Sequence, residues 1–260
     1  MLGLGGGVFL VPILTLFFDI DQKLAIGASA VAVVTNSVVG STVHLRGRFT
    51  NLRLAMLLQS TTAVGAIIGA VISVYANPGF INAVFGLMLV YAALSMLRSR
   101  GAVPASPELG SDPMQLGATY NDPATKKTVS YVPQRIKVGL GISAVAGTLS
   151  GMLGVGGGVI QVPAMNILMR IPIKAAAGTS SFMVGITSVA TASVYYADGK
   201  IDPTVVVPAM IGIFVGAQIG SRLTRRVRTQ NLASIFVIVL LYLGVSLLLK
   251  AVGITLPGQR

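Results

Sequence analysis

The chain has 260 residues, 53% of them hydrophobic and only 10% charged, with a mean hydropathy of +0.82. Soluble domains carry about 25% charged residues, so this chain lacks the charge to cover a water-facing surface of its size and reads as an integral membrane protein. Its net charge is +12, and the Lys and Arg sit in short loops between apolar runs. That fits the positive-inside bias of cytoplasmic loops, not the amphipathic or aromatic-studded face of a nucleic-acid binder. Cysteine is absent, which excludes disulfides, thiolate metal sites and a cysteine-borne sulfur relay.

In chain order, a glycine-bearing region at 2–18 comes first, and no n-region, h-region and cleavage site follow one another there, so no signal peptide is expected. Apolar runs near spanning length follow at 24–45, 54–75 and 80–97. A polar stretch at 98–136 holds Pro104, Pro107, Pro113, Pro123 and Pro133 and reads as a cytoplasmic connector; its "DPATKKTVSYVP" suits a small hairpin or a plain loop equally. A second glycine-bearing region spans 137–169, and apolar runs at 175–196, 204–221 and 233–251 complete the chain. The division expected is a first membrane repeat at 1–97, the connector at 98–136 and a second repeat at 137–260.

An offset of 151 residues lays the second half on the first. Gly3, Gly5, Gly6, Gly7, Val8, Val11 and Pro12 fall on Gly154, Gly156, Gly157, Gly158, Val159, Val162 and Pro163. Lys23, Ala25, Gly27, Ser29 and Ser37 fall on Lys174, Ala176, Gly178, Ser180 and Ser188, and "VGAIIG" at 64–69 on "VGAQIG" at 215–220. Such agreement exceeds composition bias and marks an internal duplication.

Corresponding loops differ in charge. The loop at 46–53 carries Arg46, Arg48 and Arg53 and its successor at 76–79 none, whereas the loop at 197–203 carries Asp198, Lys200 and Asp202 and its successor Arg222, Arg225, Arg226 and Arg228. The first short loops, with Asp19, Asp21 and Lys23 against Arg170 and Lys174, differ the same way. The positive-inside rule then places the halves upside down relative to each other, as in many secondary transporters. With the connector and the 170–174 loop both inside, residues 137–169 must leave and return on one side. Limbs of about 16 residues reach roughly 24 Å, short of a full span, so the expectation is a hairpin bent at "GVGGG". The fold class expected is an all-α integral membrane protein of two inverted-topology repeats, each a glycine-bent re-entrant or broken helical hairpin followed by three transmembrane helices. The first bend is preceded by two residues where the second has the limb "KVGLGISAVAGTLSGML". A first limb of about 17 residues is accordingly expected upstream of Met1, or lost by truncation, a point the intact mass of the native protein tests.

All seven acids lie in loops or the connector, so no carboxylate marks an intramembrane proton or cation path. The single histidine, His44, closes its helix beside Arg46 and reads as an interfacial residue. No Ser/His/Asp set and no HExxH occur, so neither catalysis nor a metal or other cofactor is expected. What remains is anion binding. A glycine break exposes backbone N–H groups, and the helix after it turns its positive dipole end toward them. Helix packing accounts for Gly65/Gly69 and for Gly212/Gly216/Gly220, but three consecutive glycines exceed what packing needs. The expected substrate ligands are Gly5, Gly6, Gly7, Gly156, Gly157 and Gly158 in the bends, with Asn36, Ser37, Thr179, Ser180 and Ser181 beside them. Gln59, Gln161, Asn166 and Gln218 are further intramembrane amides, and any of these polar groups could instead bond between helices.

At these residues the chain resembles the sulfite exporter TauE/SafE family of membrane proteins. The resemblance rests on GxGGGxxxxP in both halves, on "AIGAS" and "AAGTSS", and on "VGAIIG" and "VGAQIG". It covers nearly the whole chain apart from the first limb and the connector. The family is similar in size, is built of two related halves, and is linked to movement of sulfite, sulfoacetate and other small sulfur-containing or organic anions. It implies a non-enzymatic anion transporter in the cell membrane, exporting by alternating access, with a small anion and the lipid bilayer as partners and a homodimer left open. A non-transporting scaffold and a channel are the competing readings.

Overall fold

A computed structural model of the chain describes residues 6–46, 49–98, 115–122, 127–224 and 229–253. Each repeat contributes a short helix and three long ones: α1 (Gly7–Leu16), α2 (Gln22–Arg46), α3 (Leu52–Tyr75) and α4 (Pro78–Arg98) in the first half. A hairpin, β1 (Ala118–Asp122) with β2 (Lys127–Tyr131), then precedes α5 (Ile136–Leu153). The second half continues with α6 (Gly158–Pro163), α7 (Ile173–Ala197), α8 (Pro203–Thr224) and α9 (Thr229–Ala251). Beyond Pro163 the short helix relaxes into a π-helical turn, Ala164–Leu168, where the proline supplies no N–H to the helical ladder. The starts of α7, α8 and α9 fall 151 residues after those of α2, α3 and α4, so the duplication sets helix boundaries as well as motifs.

Local chemistry fixes those starts. The Asp21 carboxylate accepts from the Lys23 N–H at 3.0 Å, Asn51 from Leu54 at 3.1 Å, Asn77 from Phe80 at 2.7 Å and Asp202 from Thr204 at 2.8 Å. Each is a short side chain meeting an orphan donor of a first helical turn. Pro78 and Pro203 follow two of these caps at the first helical position, where a proline costs nothing.

Among the described residues, four helices are long and apolar enough to span a bilayer: Gln22–Ser41, Leu52–Tyr75, Pro78–Leu97 and Ile136–Leu153. Large apolar side chains face outward along them, including Val64, Ile67, Ile68, Val71 and Ile72 of α3. A soluble protein does not expose such a face; lipid accommodates it.

Equivalent helices pair in antiparallel fashion. A methyl group on Gly27, early in α2, would strike the Lys200 carbonyl just past α7, and one on Gly178, early in α7, would lie 3.2 Å from the Phe49 carbonyl oxygen just past α2. Likewise α4 runs against α9, with a methyl on Gly86 2.8 Å from the Gly244 carbonyl oxygen. The α3–α5 crossing is closer still. Gly65 and Gly69 face the carbonyls of Ala144 and Thr148, and Gly147 and Gly151 face those of Thr62 and Ala66, each with no room for a Cβ. Small residues at four-residue spacing thus let two backbones meet. In α8 a methyl on Gly212 or Gly216 would meet nothing within 4 Å. No helix of this chain among the described residues covers them, and Gly220 lies outside the described side chains.

Within the connector the stretch "DPATKKTVSYVP", open between loop and hairpin by its sequence, contributes to a hairpin in its described residues. The first strand begins at Ala118, four residues ahead of that stretch, and Thr119 pairs with Ser130 and Tyr120 with Val129. Phe49, Tyr120 and Tyr131 stack edge-on with centroids 5.4 and 6.4 Å apart, over Leu54, Leu58, Met169 and Ile171. Burial pushes the Tyr131 phenol up to about 12, opposed by a hydrogen bond with Asn51 and reinforced by Tyr120. The hairpin therefore seals one end of the bundle, where Arg53, Arg135, Lys137, Arg170 and Lys174 lie. The opposite end gathers Asp19, Asp21, Asp198 and Asp202. There Lys23 donates to the Val74 carbonyl and Lys250 to the Thr15 carbonyl at 2.7 Å.

Candidate functional site

The glycine breaks have the same conformation in both halves. Gly6 (φ 79°, ψ −24°) caps α1 and Gly157 (φ 79°, ψ −10°) caps α6, both left-handed. Phe9 N–H bonds to the Gly6 carbonyl at 3.2 Å and Ile160 N–H to the Gly157 carbonyl at 3.2 Å. Only a residue without Cβ holds this geometry without strain. Gly154 (φ 66°) and Gly156 (φ 79°) extend the left-handed run in the second bend, which joins α5 to α6.

The two bends meet on α2. The Ser29 hydroxyl donates to the Gly154 carbonyl at 2.9 Å. A methyl on Gly7 would lie 2.7 Å from Ser29 Oγ, 2.7 Å from Val33 Cγ2 and 2.8 Å from the Gly154 carbonyl oxygen. On Gly156 it would lie 2.5 Å from Val184 Cγ1, 3.0 Å from Ser188 Oγ and 3.2 Å from Val33 Cγ1. Val33 thus sends one methyl to each bend, and its repeat mate Val184 closes the second. On the other side a methyl on Gly6 would stand 3.5 Å from Asn36 Nδ2.

Of the residues expected from the sequence, the fold brings Gly6, Gly7, Asn36, Gly156 and Gly157 together, with Gly158 opening α6. Gly5 lies outside the described residues. Ser37 sits one residue past Asn36, but its hydroxyl donates to the Ser181 carbonyl at 2.5 Å. Thr179 and Ser181 serve elsewhere on α7. The Thr179 hydroxyl oxygen accepts from the Asn51 N–H at 3.1 Å, fixing the α2–α3 turn, and Ser181 Oγ donates back to Ala177 at 2.8 Å. Ser180 is buried between them. These three follow the second bend on the next long helix, and Thr179 and Ser181 spend their hydroxyls on backbone partners.

Polar groups nearer the second bend carry less obvious signals. Ser188 and Ser150 are both 1% exposed, their hydroxyls have no protein partner among the described residues, and they lie beside Gly156 and Gly157. Ser188 is the repeat mate of Ser37. Ser150, in the apolar limb "TLSGML", has nothing in its surroundings in sequence to single it out. Two amide pairs flank them: Gln59 Nε2 donates to Thr187 Oγ1 at 3.1 Å, and Gln161 Nε2 to Thr62 Oγ1 at 3.1 Å. Asn166 Nδ2 instead closes the π turn on the Ile171 carbonyl at 2.8 Å. No described Lys, Arg, Asp or Glu side chain is placed at the bends. The chemistry on offer is neutral, with backbone and hydroxyl donors in a dry setting where each hydrogen bond counts for more than in water. A separate cleft of about 400 Å³ is lined by Val31, Val34, Thr35, Val189, Ser193 and Met210 among others, and no glycine lines it.

The family model for the sulfite exporter TauE/SafE proteins matches residues 1–247. The chain belongs to this family. YunE of Bacillus subtilis (strain 168), a probable membrane transporter protein, is 26% identical over 260 residues, covering 97% of this chain and 93% of that protein. A probable membrane transporter protein of Xylella fastidiosa (strain 9a5c) is 26% identical over 227 residues, covering 87% of this chain and 79% of that one. No solved structure matches the chain. As a TauE/SafE member it is a membrane transporter and not an enzyme, and its paired glycine motifs are the residues this fold brings to one point.

Proposed function

We propose that this TauE/SafE protein carries a small anion, sulfite, sulfoacetate or a similar sulfur-containing or organic acid, out of the cell by alternating access about the paired glycine bends. The observation that carries the reading is the convergence of both bends on Val33, with the unpartnered hydroxyls of Ser150 and Ser188 beside the second. Left-handed glycines present backbone N–H groups to a ligand at close range, so a single negative charge is held without a buried cation. The halves are inverted repeats in the inner or plasma membrane, with the hairpin end cytoplasmic. Opposite loop charge and the antiparallel pairing of α2 with α7 support that arrangement. With the interior negative, outward movement of an anion gains about 2.3 kcal/mol per charge per 100 mV, so export proceeds as uniport without intramembrane carboxylates.

The test is uptake of labelled sulfite and sulfoacetate into proteoliposomes with and without an imposed potential. Wild type should show saturable flux that follows the potential, and Gly156→Ala should lower it at least tenfold while the protein stays monodisperse. Absence of saturable flux with every small anion sinks the reading. The alternative, a non-transporting scaffold or assembly subunit, is favoured by one observation, the uncovered Gly212 and Gly216 on α8. In that case Gly156→Ala leaves no flux to lose.

A further inference from the structure

Resting on the anion-carrier reading, we infer that the second bend favours an anion carrying a hydrogen-bond donor of its own, a hydrogen-oxyanion or a hydroxy-substituted acid. Three buried polar side chains there have atoms with no protein partner: Ser150 Oγ, Ser188 Oγ and Gln161 Oε1. The others among the described residues are dispersed over α2, α3, α4, α9 and the π turn. A serine hydroxyl adapts to donor or acceptor, but the amide of Gln161 does not. The Thr62 hydroxyl donates to the Leu58 carbonyl at 2.8 Å, so its oxygen is an acceptor, and Gln161 turns its NH2 toward it at 3.1 Å. That leaves Oε1, which can only accept. Gln161 follows Gly157 by one helical turn, its N–H on the Gly157 carbonyl at 3.1 Å, and helical side chains lean toward the N-terminal turn, here back over the bend.

The arrangement is therefore mixed. The hydroxyls and backbone N–H groups suit the oxygens of an anion, while Oε1 requires an O–H or N–H from the ligand. An anion without a donor sets its lone pairs against Oε1 and leaves a buried acceptor unpaired. The feature belongs to one half only. The repeat mate of Gln161 is Leu10, and that of Ser188 is Ser37, whose hydroxyl is committed to Ser181. Gln59, the nearby amide on α3, has its Oε1 3.4 Å from the Thr187 hydroxyl, whose proton goes to the Met183 carbonyl at 2.9 Å, but it stands on α3 and not on the helix that follows the bend.

The experiment compares 2-hydroxyethanesulfonate with ethanesulfonate, equal in charge and differing by one hydroxyl, in proteoliposomes at one imposed potential, with sulfite as the reference substrate. In wild type the hydroxylated anion should be carried about tenfold more efficiently or better, as sites built to bond a substrate hydroxyl discriminate strongly. Gln161→Met should bring the ratio of the two fluxes toward one. Thr62→Val, which frees the amide to turn and offer its NH2 instead, should lower the ratio too and serves if the first variant does not fold. Equal fluxes in wild type, or an undiminished ratio in both variants, overturn the inference while leaving the carrier reading intact. Sulfite flux with neither sulfonate carried overturns the inference alone, and absence of flux with every small anion overturns the carrier reading itself.

Discussion

Helices α3 and α8 hold the same motif at equivalent places, "VGAIIG" at 64–69 and "VGAQIG" at 215–220, and the fold treats them differently. In α3, Gly65 and Gly69 lie against the backbone of α5, and in α8, Gly216 lies open with Phe214 and Val215 exposed beside it. Their first residues repeat the contrast. Asn51 is buried and tied to Thr179, Leu116, Leu54 and Tyr131, whereas the Asp202 carboxylate bonds to Thr204 alone among the described residues. A small-residue motif permits close approach without creating it; the neighbour decides. Duplication has given two helices one pattern, and among the described residues α5 is laid across α3.

The largest effect expected follows directly. Gly69→Leu drives a side chain into the Thr148 backbone, which cannot yield unless α3 and α5 separate, so most of the solubilised protein should be lost as aggregate on size-exclusion chromatography. Gly216→Leu at the equivalent site meets no atom, gains helix propensity, and should stay within about 0.5 kcal/mol of wild type. If Gly216→Leu is as damaging as Gly69→Leu, α8 is covered in the assembled protein and the contrast collapses.

The caps come next. Asn51→Ala removes the acceptor for the Leu54 N–H and the donor that meets the Leu116 carbonyl at 2.7 Å. A lost cap together with a buried carbonyl left unpaired should cost about 2–3 kcal/mol, seen as a lowered melting temperature in detergent. Asp202→Ala removes a cap at the aqueous end of α8, where water replaces the bond, and its shift should be clearly the smaller. Equal shifts would mean that the hairpin carrying Leu116 does not dock on α3.

Much of this was legible in the sequence, for identifiable reasons. The duplication survives as identical residues at one offset, and it predicts the starts of three helices because caps such as Asn51 and Asp202 are local chemistry. The bends were legible because three consecutive glycines have few other uses. Which side chains reach them was not. Ser29, Ser150 and Ser188 meet the bends, while Thr179 and Ser181 turn to backbone partners, and that choice depends on the rotation of one helix against another. No local pattern encodes that rotation. The hairpin was half legible, since its second strand lay within the stretch singled out and its first began upstream, where pairing with Tyr120 decides the register. What lies against α8 is not legible in "VGAQIG", because a small-residue motif does not encode its neighbour.

The smallest effect is one of sign. The hydroxyl and then the N–H of Thr204 hold the Asp202 carboxyl below its ordinary value, against a slight opposing effect of burial. A carboxyl lowered in the folded protein adds stability that is present above its unfolded value and is lost as pH falls through the folded one. The melting-temperature difference between wild type and Asp202→Asn should therefore be constant from neutral pH down to about pH 5 and shrink as pH drops through and below the ordinary Asp value near 4. The matching difference for Asn51→Ala should show no such acid step, because the cap of α3 carries no charge. A difference for Asp202→Asn that stays flat to pH 3 would mean that Thr204 does not hold the carboxylate in solution, and the two helix starts would then differ in burial alone.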